Sequence, residues 1–385
     1  VTTAYGNTAI GYAAGSALTT ENNNTIIGSS AGDGMTNASS TVIVGENAGR
    51  SINSSGANGT VAIGNGALYA LTSGAGNTAI GKSALTQHTT GARNTAIGAG
   101  AMDGTGQDDA PTSTDNVFIG YDAGGGSWDN GADDTDDSNF NVGIGNYVMD
   151  AAMDGAVSNV AIGYTALTAL TTGKYNIAMG NNAGDAMTAT ENTVLIGSHA
   201  GSAINSADAN GTVAIGYFAG YALTSGIGNV AVGHQALDAE DDGDFNTAIG
   251  YQALSAQTGT SGTVGNTAVG YQAGLAVTTG TKNTLIGYTA ADALTVGEKN
   301  VVIGYDAFTA AVEDTNNVAI GFEALHDVNA GGSDGSNTAT NNTMVGYRAG
   351  DSISTGKNNT GFGMGVAFDI DADNQLALGY EATTS

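Results

Sequence analysis

The chain has 385 residues, with 62 glycines, one proline (Pro111) and no cysteine, which excludes a disulfide scaffold and a thiolate metal site. Glycine has no three-residue period, so collagen is excluded, and 41% apolar residues at regular places argue against disorder. With 36 acidic against 8 basic residues the formal net charge is −28, which argues against nucleic acid or an anionic membrane as partner, because phosphate binding needs Lys and Arg.

The acidity fits a solvated surface, a saline medium or divalent cations. No apolar run reaches the roughly 18 residues of a membrane-spanning helix. No signal peptide is visible and the chain starts at Val1, so an internal or processed piece of a larger protein is expected.

The first predicted element is a short strand in Asn7-Thr8-Ala9-Ile10-Gly11, and its pattern recurs throughout the chain. The glycine returns as Gly28, Gly45, Gly64 and Gly81 and continues to Gly379, giving 21 copies in which 12 of the 20 spacings are 17 residues. A fixed short period marks a solenoid of stacked coils rather than separate globular domains. The residue before the glycine is large and apolar (Ile10, Ile27, Val44), and two places earlier it is β-branched except at Leu376. That alternation reads as a strand with these two positions on one face, taken as the core face. The residue between them is also apolar: Ala9, Ile26, Ile43, Phe118, Leu195, Leu285. Both faces are therefore expected to be buried, one inside the coil and one against a second surface. That surface is either other chains, most economically in a homotrimer about a fibre axis, or a second sheet of the same chain.

The remaining positions of the coil have their own preferences. The motif opens on Asn in 16 copies, Thr in four and Gln375 once, so stacked coils would align Asn7, Asn77, Asn94, Asn246, Asn266 and Asn283 into an amide ladder about 4.8 Å apart. The residue after the glycine is Tyr in ten copies, which predicts a tyrosine column along the outside. The column either shields the sheet or offers a glycan-binding stripe, with Tyr251, Tyr271, Tyr288 and Tyr305 as contacts. Ala stands three places after the glycine in 19 of 21 copies, as a close backbone approach requires. Leu18, Met35, Ile52 and Leu71 then begin a second, shorter run that is expected to be strand-like.

Residues 52–64 recur at 204–216, an offset of 152. The fold expected is an all-β β-solenoid or β-roll of about 21 coils. It would be continuous over 1–385, with duplicated blocks at 1–152 and 153–304, a partial third at 305–385, and a length of roughly 100 Å at the strand spacing. Insertions fall at 102–115, 122–139, 238–245 and 326–341, where loops on a rigid scaffold carry recognition. Two concentrate carboxylates: Asp133, Asp134, Asp136 and Asp137 in one, Asp241, Asp242 and Asp244 in the other. Hard oxygen ligands at this density suit Ca²⁺, the one cofactor considered, although solvated repulsive loops account for them too. Trp128, the only tryptophan, lies in the first acidic insertion, either exposed to stack on a sugar or packed as a loop anchor.

At Asn77–Ala84, Asn94–Ala101, Asn246–Ala253 and Asn266–Ala273 the pattern N-T-A-[IV]-G-x-x-A resembles the YadA-like head repeat of trimeric autotransporter adhesins. It is also similar to Tyr-containing repeats of phage tail-fibre-like proteins. The resemblance covers nearly the whole chain. It implies a homotrimer of left-handed β-rolls at a cell or virion surface, binding host matrix or other cells. The adhesin coil is typically 14 residues, so a larger cross-section is expected here.

Gly76–Ser83 matches the phosphate-loop pattern GxxxxGK[ST], but these residues are the strand of the repeat, not a loop opening a helix. His88, His199, His234 and His326 sit in different coils with no catalytic or metal spacing and are expected at the surface or in turns. No enzyme is expected. The leading function is a structural segment of an extracellular trimeric fibre or adhesin, acting as rigid shaft or head, with itself as partner and a surface glycan or host protein as target. The alternatives are a phage tail-fibre shaft involved in host recognition and a monomeric ice- or glycan-binding solenoid.

Overall fold

The computed structural model describes residues 4–106, 113–128, 137–258, 261–328, 339–369, 371 and 373–384. The chain is all-β and groups into two compact units, residues 1–193 with 205–207 and residues 194–204 with 208–385. Among the described residues the first unit holds ten three-residue strands, from β1 (Thr8–Ile10) to β10 (Ile177–Met179). The second holds eleven, from β11 (Val194–Ile196) to β23 (Leu376–Leu378), besides two shorter ones described below.

Each unit is a parallel β-solenoid in which one strand per coil stacks in register on the next. In the first unit Thr8, Ala9 and Ile10 face Thr25, Ile26 and Ile27. Long insertions leave the register intact: β7 (Val117–Ile119) pairs Val117 with Val142 across 25 residues. The loop length is absorbed outside the ladder, where closure entropy grows only slowly with length. The ladder runs on past the strand into the turn, with Gly28 N–H donating to the Ile10 carbonyl and Ser30 N–H to the Tyr12 carbonyl.

The motif glycine is fixed by this stacking. Gly250 has φ +139°, and a Cβ there would lie 2.0 Å from the carbonyl oxygen of Gly270 in the next coil. No L-residue fits such a position. Two places later the chain turns left-handed, as at Gln252 (φ 53°), which brings the small Ala253 into the core.

The strand's middle residue is the one that points inward. Ile26, Ile43, Phe118 and Leu195 are fully buried, while Ile27 is 37% exposed and Thr25 half-buried. The face read as core from sequence is thus the outer face. Only one of the two apolar faces is buried within the chain. Both faces are apolar, so their alternation carries no sign of which one points in.

Core volume is shared between the strand middle and the position four after the glycine. Beside Ile43 and Leu195 that position is Gly: a Cβ on Gly49 would lie 2.9 Å from Ile43 Cδ1, and one on Gly201 2.8 Å from Leu195 Cδ2. Beside Ala79, Ala96 and Ala248 the partner is a buried Leu85, Met102 or Leu254, although Ala214 and Ala268 have Gly220 and Gly274 there. Both arrangements fill the same narrow space, and a buried chain of this size contributes about 1.5–3 kcal/mol.

The second apolar run does supply core residues, with Leu71, Met187, Ile204 and Leu223 all buried. It is nevertheless a turn rather than a strand in nearly every described coil. Its N–H groups are taken locally, Met35 N–H donating to the Gly32 carbonyl and Leu71 N–H to the Leu68 carbonyl. The exceptions are the two-residue strands β14 (Gly243–Asp244) and β16 (Gly262–Thr263), which pair with each other. Two coils whose sequences lie 152 residues apart each carry a 3₁₀ turn, Ser55–Ala57 and Ala207–Ala209.

Candidate functional site

The asparagine ladder forms, but mainly through the backbone. Asn7 Oδ1 accepts the Asn24 N–H (2.9 Å), Asn77 Oδ1 the Asn94 N–H (2.9 Å) and Asn94 Oδ1 the Asn116 N–H (3.1 Å). Asn246, Asn266 and Asn283 repeat this in the second unit, accepting from Asn266, Asn283 and Asn300. The amide nitrogens donate to turn carbonyls, Asn77 Nδ2 to Gly91 and Asn283 Nδ2 to Gly297. The ladder satisfies groups that burial would otherwise leave costly.

The expected outer column is an aromatic stack in the second unit. Tyr251, Tyr271, Tyr288, Tyr305, Phe322 and Tyr347 follow one another at centroid distances of 4.9 to 5.4 Å with interplanar angles of 6 to 10°. His234 extends it at 5.0 Å and 12° from Tyr251, and Tyr217 lies beyond His234. Each inner ring therefore has both faces covered by neighbours, leaving edges and hydroxyls to the solvent. Sugar stacking needs an open ring face, so this geometry favours the shielding role over a glycan stripe at Tyr251, Tyr271, Tyr288 and Tyr305. His234 and Phe322 were missed as members, although both occupy the register position of the tyrosines.

Beside this column run the outward strand positions. In all of the three-residue strands they are Thr, Val, Ile, Leu, Met or Phe, without one charged residue. Ile249, Ile286 and Ile303 are 36 to 39% exposed.

Trp128 is fully buried, edge-on to Phe118 at 5.6 Å, with Nε1–H donating to the Gly124 carbonyl. It anchors its insertion and offers no surface to a sugar. Phe118 reaches into the next coil, where a Cβ on Gly143 would lie 2.5 Å from its ring. Asp133, Asp134 and Asp136 lie outside the described residues, and Asp137 lies at their edge.

The second acidic insertion is a built turn. Glu240, Asp241 and Asp242 each place a carboxylate oxygen within 4.8 Å of the others, the one such group among the described residues. Asp244 is not part of it, because its Oδ1 accepts the Ile227 N–H of the preceding coil (2.8 Å). Glu240 went unnoticed in the sequence. It stands seven places after Gly233, the position of buried Leu71 and Leu223 in their own coils, and counting that register would have found it. Burial pushes its carboxyl above the ordinary range. Burial, then the neighbouring Asp241 carboxylate, does the same to Asp242.

The histidines do not gather. His88, expected at the surface or in a turn, is fully buried in the core column, with Nε2 3.0 Å from the Gly91 carbonyl and Nδ1 3.2 Å from that of Thr105. Burial lowers its pKa. His199 stacks on Phe218 and His326 contacts Asp327. The phosphate-loop lookalike contains β5 (Thr78–Ile80), an ordinary strand of the solenoid.

No helix among the described residues is long and apolar enough to cross a membrane. No protein-family model matches the chain, and no curated protein matches it.

Proposed function

We propose that this chain is a structural segment of an extracellular trimeric fibre, a shaft or head for surface attachment of the kind its repeat resembles in trimeric autotransporter adhesins. One observation carries the reading: each solenoid unit keeps an uncharged, apolar sheet face half-exposed in a chain of net charge −28. Like-charged copies approach most cheaply where charge is absent, and a continuous apolar face of this kind marks an association surface. Three copies about one axis cover all three faces at once and leave the acidic turns in solvent.

The test is the solution mass by light scattering. Three times 37.7 kDa is expected for the wild type, and Ile286→Asp, which puts a charge on the outer face without touching the core, should lower it. A folded monomer in the wild type would overturn the trimer and leave a self-contained solenoid.

A further inference from the structure

We infer that the turn Glu240-Asp241-Asp242 is a divalent-cation site of the calcium class, with Glu240 supplying a ligand from inside the solenoid. Oxygens bound to one Ca²⁺ at about 2.3–2.6 Å lie no more than roughly 5 Å apart. The three carboxylates meet that limit, with an oxygen of each within 4.8 Å of the others.

The cluster alone would be an ordinary acidic turn. The second observation is Glu240 itself, which is 0% exposed. Its Oε1 accepts the N–H groups of Gly243 (2.8 Å) and Asp241 (3.2 Å), while its buried Oε2 has no hydrogen-bond partner. A carboxylate oxygen removed from water and left without a donor is costly unless a proton or a cation meets it. None of the ion pairs among the described residues reaches Glu240, Asp241 or Asp242.

The turn is also held in place before any ion arrives. The Asp241 carbonyl accepts from Thr224 N–H (2.7 Å), Thr224 Oγ1 (2.9 Å) and Ser225 N–H (3.2 Å), and Asp241 Oδ1 accepts the Asp242 N–H (3.0 Å). In the next coil the position equivalent to Glu240 is Gln257, whose Oε1 accepts from Asn266 Nδ2 and whose Nε2 donates to the Thr278 carbonyl. The neutral amide there is fully partnered, and the acid at 240 is not. A cation would join Glu240, Asp241 and Asp242 and tie the surface turn to the core column.

The experiment is isothermal titration of calcium chloride into the full 385-residue chain at pH 7.5, for the wild type, Glu240→Gln and Asp242→Asn. Each variant is expected to lose one calcium equivalent, or to bind it at least tenfold more weakly, and to show a smaller calcium-induced rise in melting temperature. Gln257 shows that the fold accepts Gln at this column, and Asp242→Asn alters only the turn, so one variant stays readable if the other fails to fold. Calcium held by the other acidic insertion would persist in both variants and would not imitate the loss. Equal stoichiometry and affinity in all three proteins, or no heat of binding in the wild type, would overturn the assignment.

Discussion

The two units are built on one repeat and arrange their outer aromatic side chains differently. In the second unit Tyr251, Tyr271, Tyr288, Tyr305, Phe322 and Tyr347 stand outside, stacked almost parallel, while Phe308 is buried. In the first, the largest rings, Phe118 and Trp128, are inside, and Tyr121, Tyr147 and Tyr164 meet edge-on outside at 76 and 87°. The coil spacing is common to both, so it is the sequence at one register position that decides. After the motif glycine the second unit has eight aromatic residues in succession from Tyr217 to Tyr347, whereas the first interposes Ser29, Glu46, Asn65, Lys82 and Ala99. Tyr147 stands one place later, off the column, and so meets its neighbours by the edge. The backbone provides a lattice of strand spacing, and side chains take up or decline the stacking it offers.

Changes to the shared backbone should hit both units hardest. Gly250→Ala and Gly120→Ala would each drive a Cβ to within 2.0–2.2 Å of the next coil's glycine oxygen. Each should lose more than about 3 kcal/mol in urea or thermal unfolding, equally in the two units. Next comes Trp128→Ala, which should cost about 3–5 kcal/mol through the cavity beside Phe118. Hydrogen exchange should confine the loosening to the first unit, and an equal loss in the second would break the contrast.

A smaller effect is expected from Asp314 in the second unit. Its Oδ1 accepts the Ala339 N–H, its Oδ2 is buried without a partner, and burial pushes its pKa up to about 6. The folded protein therefore binds more protons than the unfolded chain between the ordinary carboxyl value of 3.8 and about 6, so stability falls as pH rises through that window. Asp150 in the first unit shifts the same way, to about 6, through burial and then the Asp122 charge. Asp314→Asn should raise stability at pH 7.5 by roughly 1–2 kcal/mol and flatten the dependence between pH 4 and 7. The smallest change is Tyr271→Ala, costing about 1 kcal/mol or less while removing more near-ultraviolet dichroism than a single ring supplies, because it cuts the stack in two. Tyr147→Ala, in the first unit, should remove only its own signal.

The period, the strand in every copy, the buried Ala and the amide ladder could all be read from the sequence, because each is a local preference repeated many times. Which strand face points inward could not. Thr25, Ile26 and Ile27 offer apolar groups to both sides, and only packing chooses between them. The pairing of Ile43 with Gly49 and of Ala79 with Leu85 was present in the sequence as a size exchange, but it becomes meaningful only once both are known to share one space. Trp128 and His88 are of types that sit inside or outside according to their partners. Here Phe118 with Gly124, and Gly91 with Thr105, supply those partners.

The direction of the hydrogen bonds has a mechanical consequence. Between the coils at Thr267 and Thr284, Thr267 N–H meets the Asn283 carbonyl, Gly287 N–H the Val269 carbonyl, Thr289 N–H the Tyr271 carbonyl and Gly274 N–H the Ala290 carbonyl. Asn283 N–H adds a bond to Asn266 Oδ1. All of them cross the same junction. A force that separates these two coils as plates loads the whole set at once, and the junction yields only when most of the set gives way together. A force that peels one strand from its edge meets the same bonds one at a time. Within each unit the solenoid is thus tough against tension along its stacking direction and weak against unravelling from a free coil.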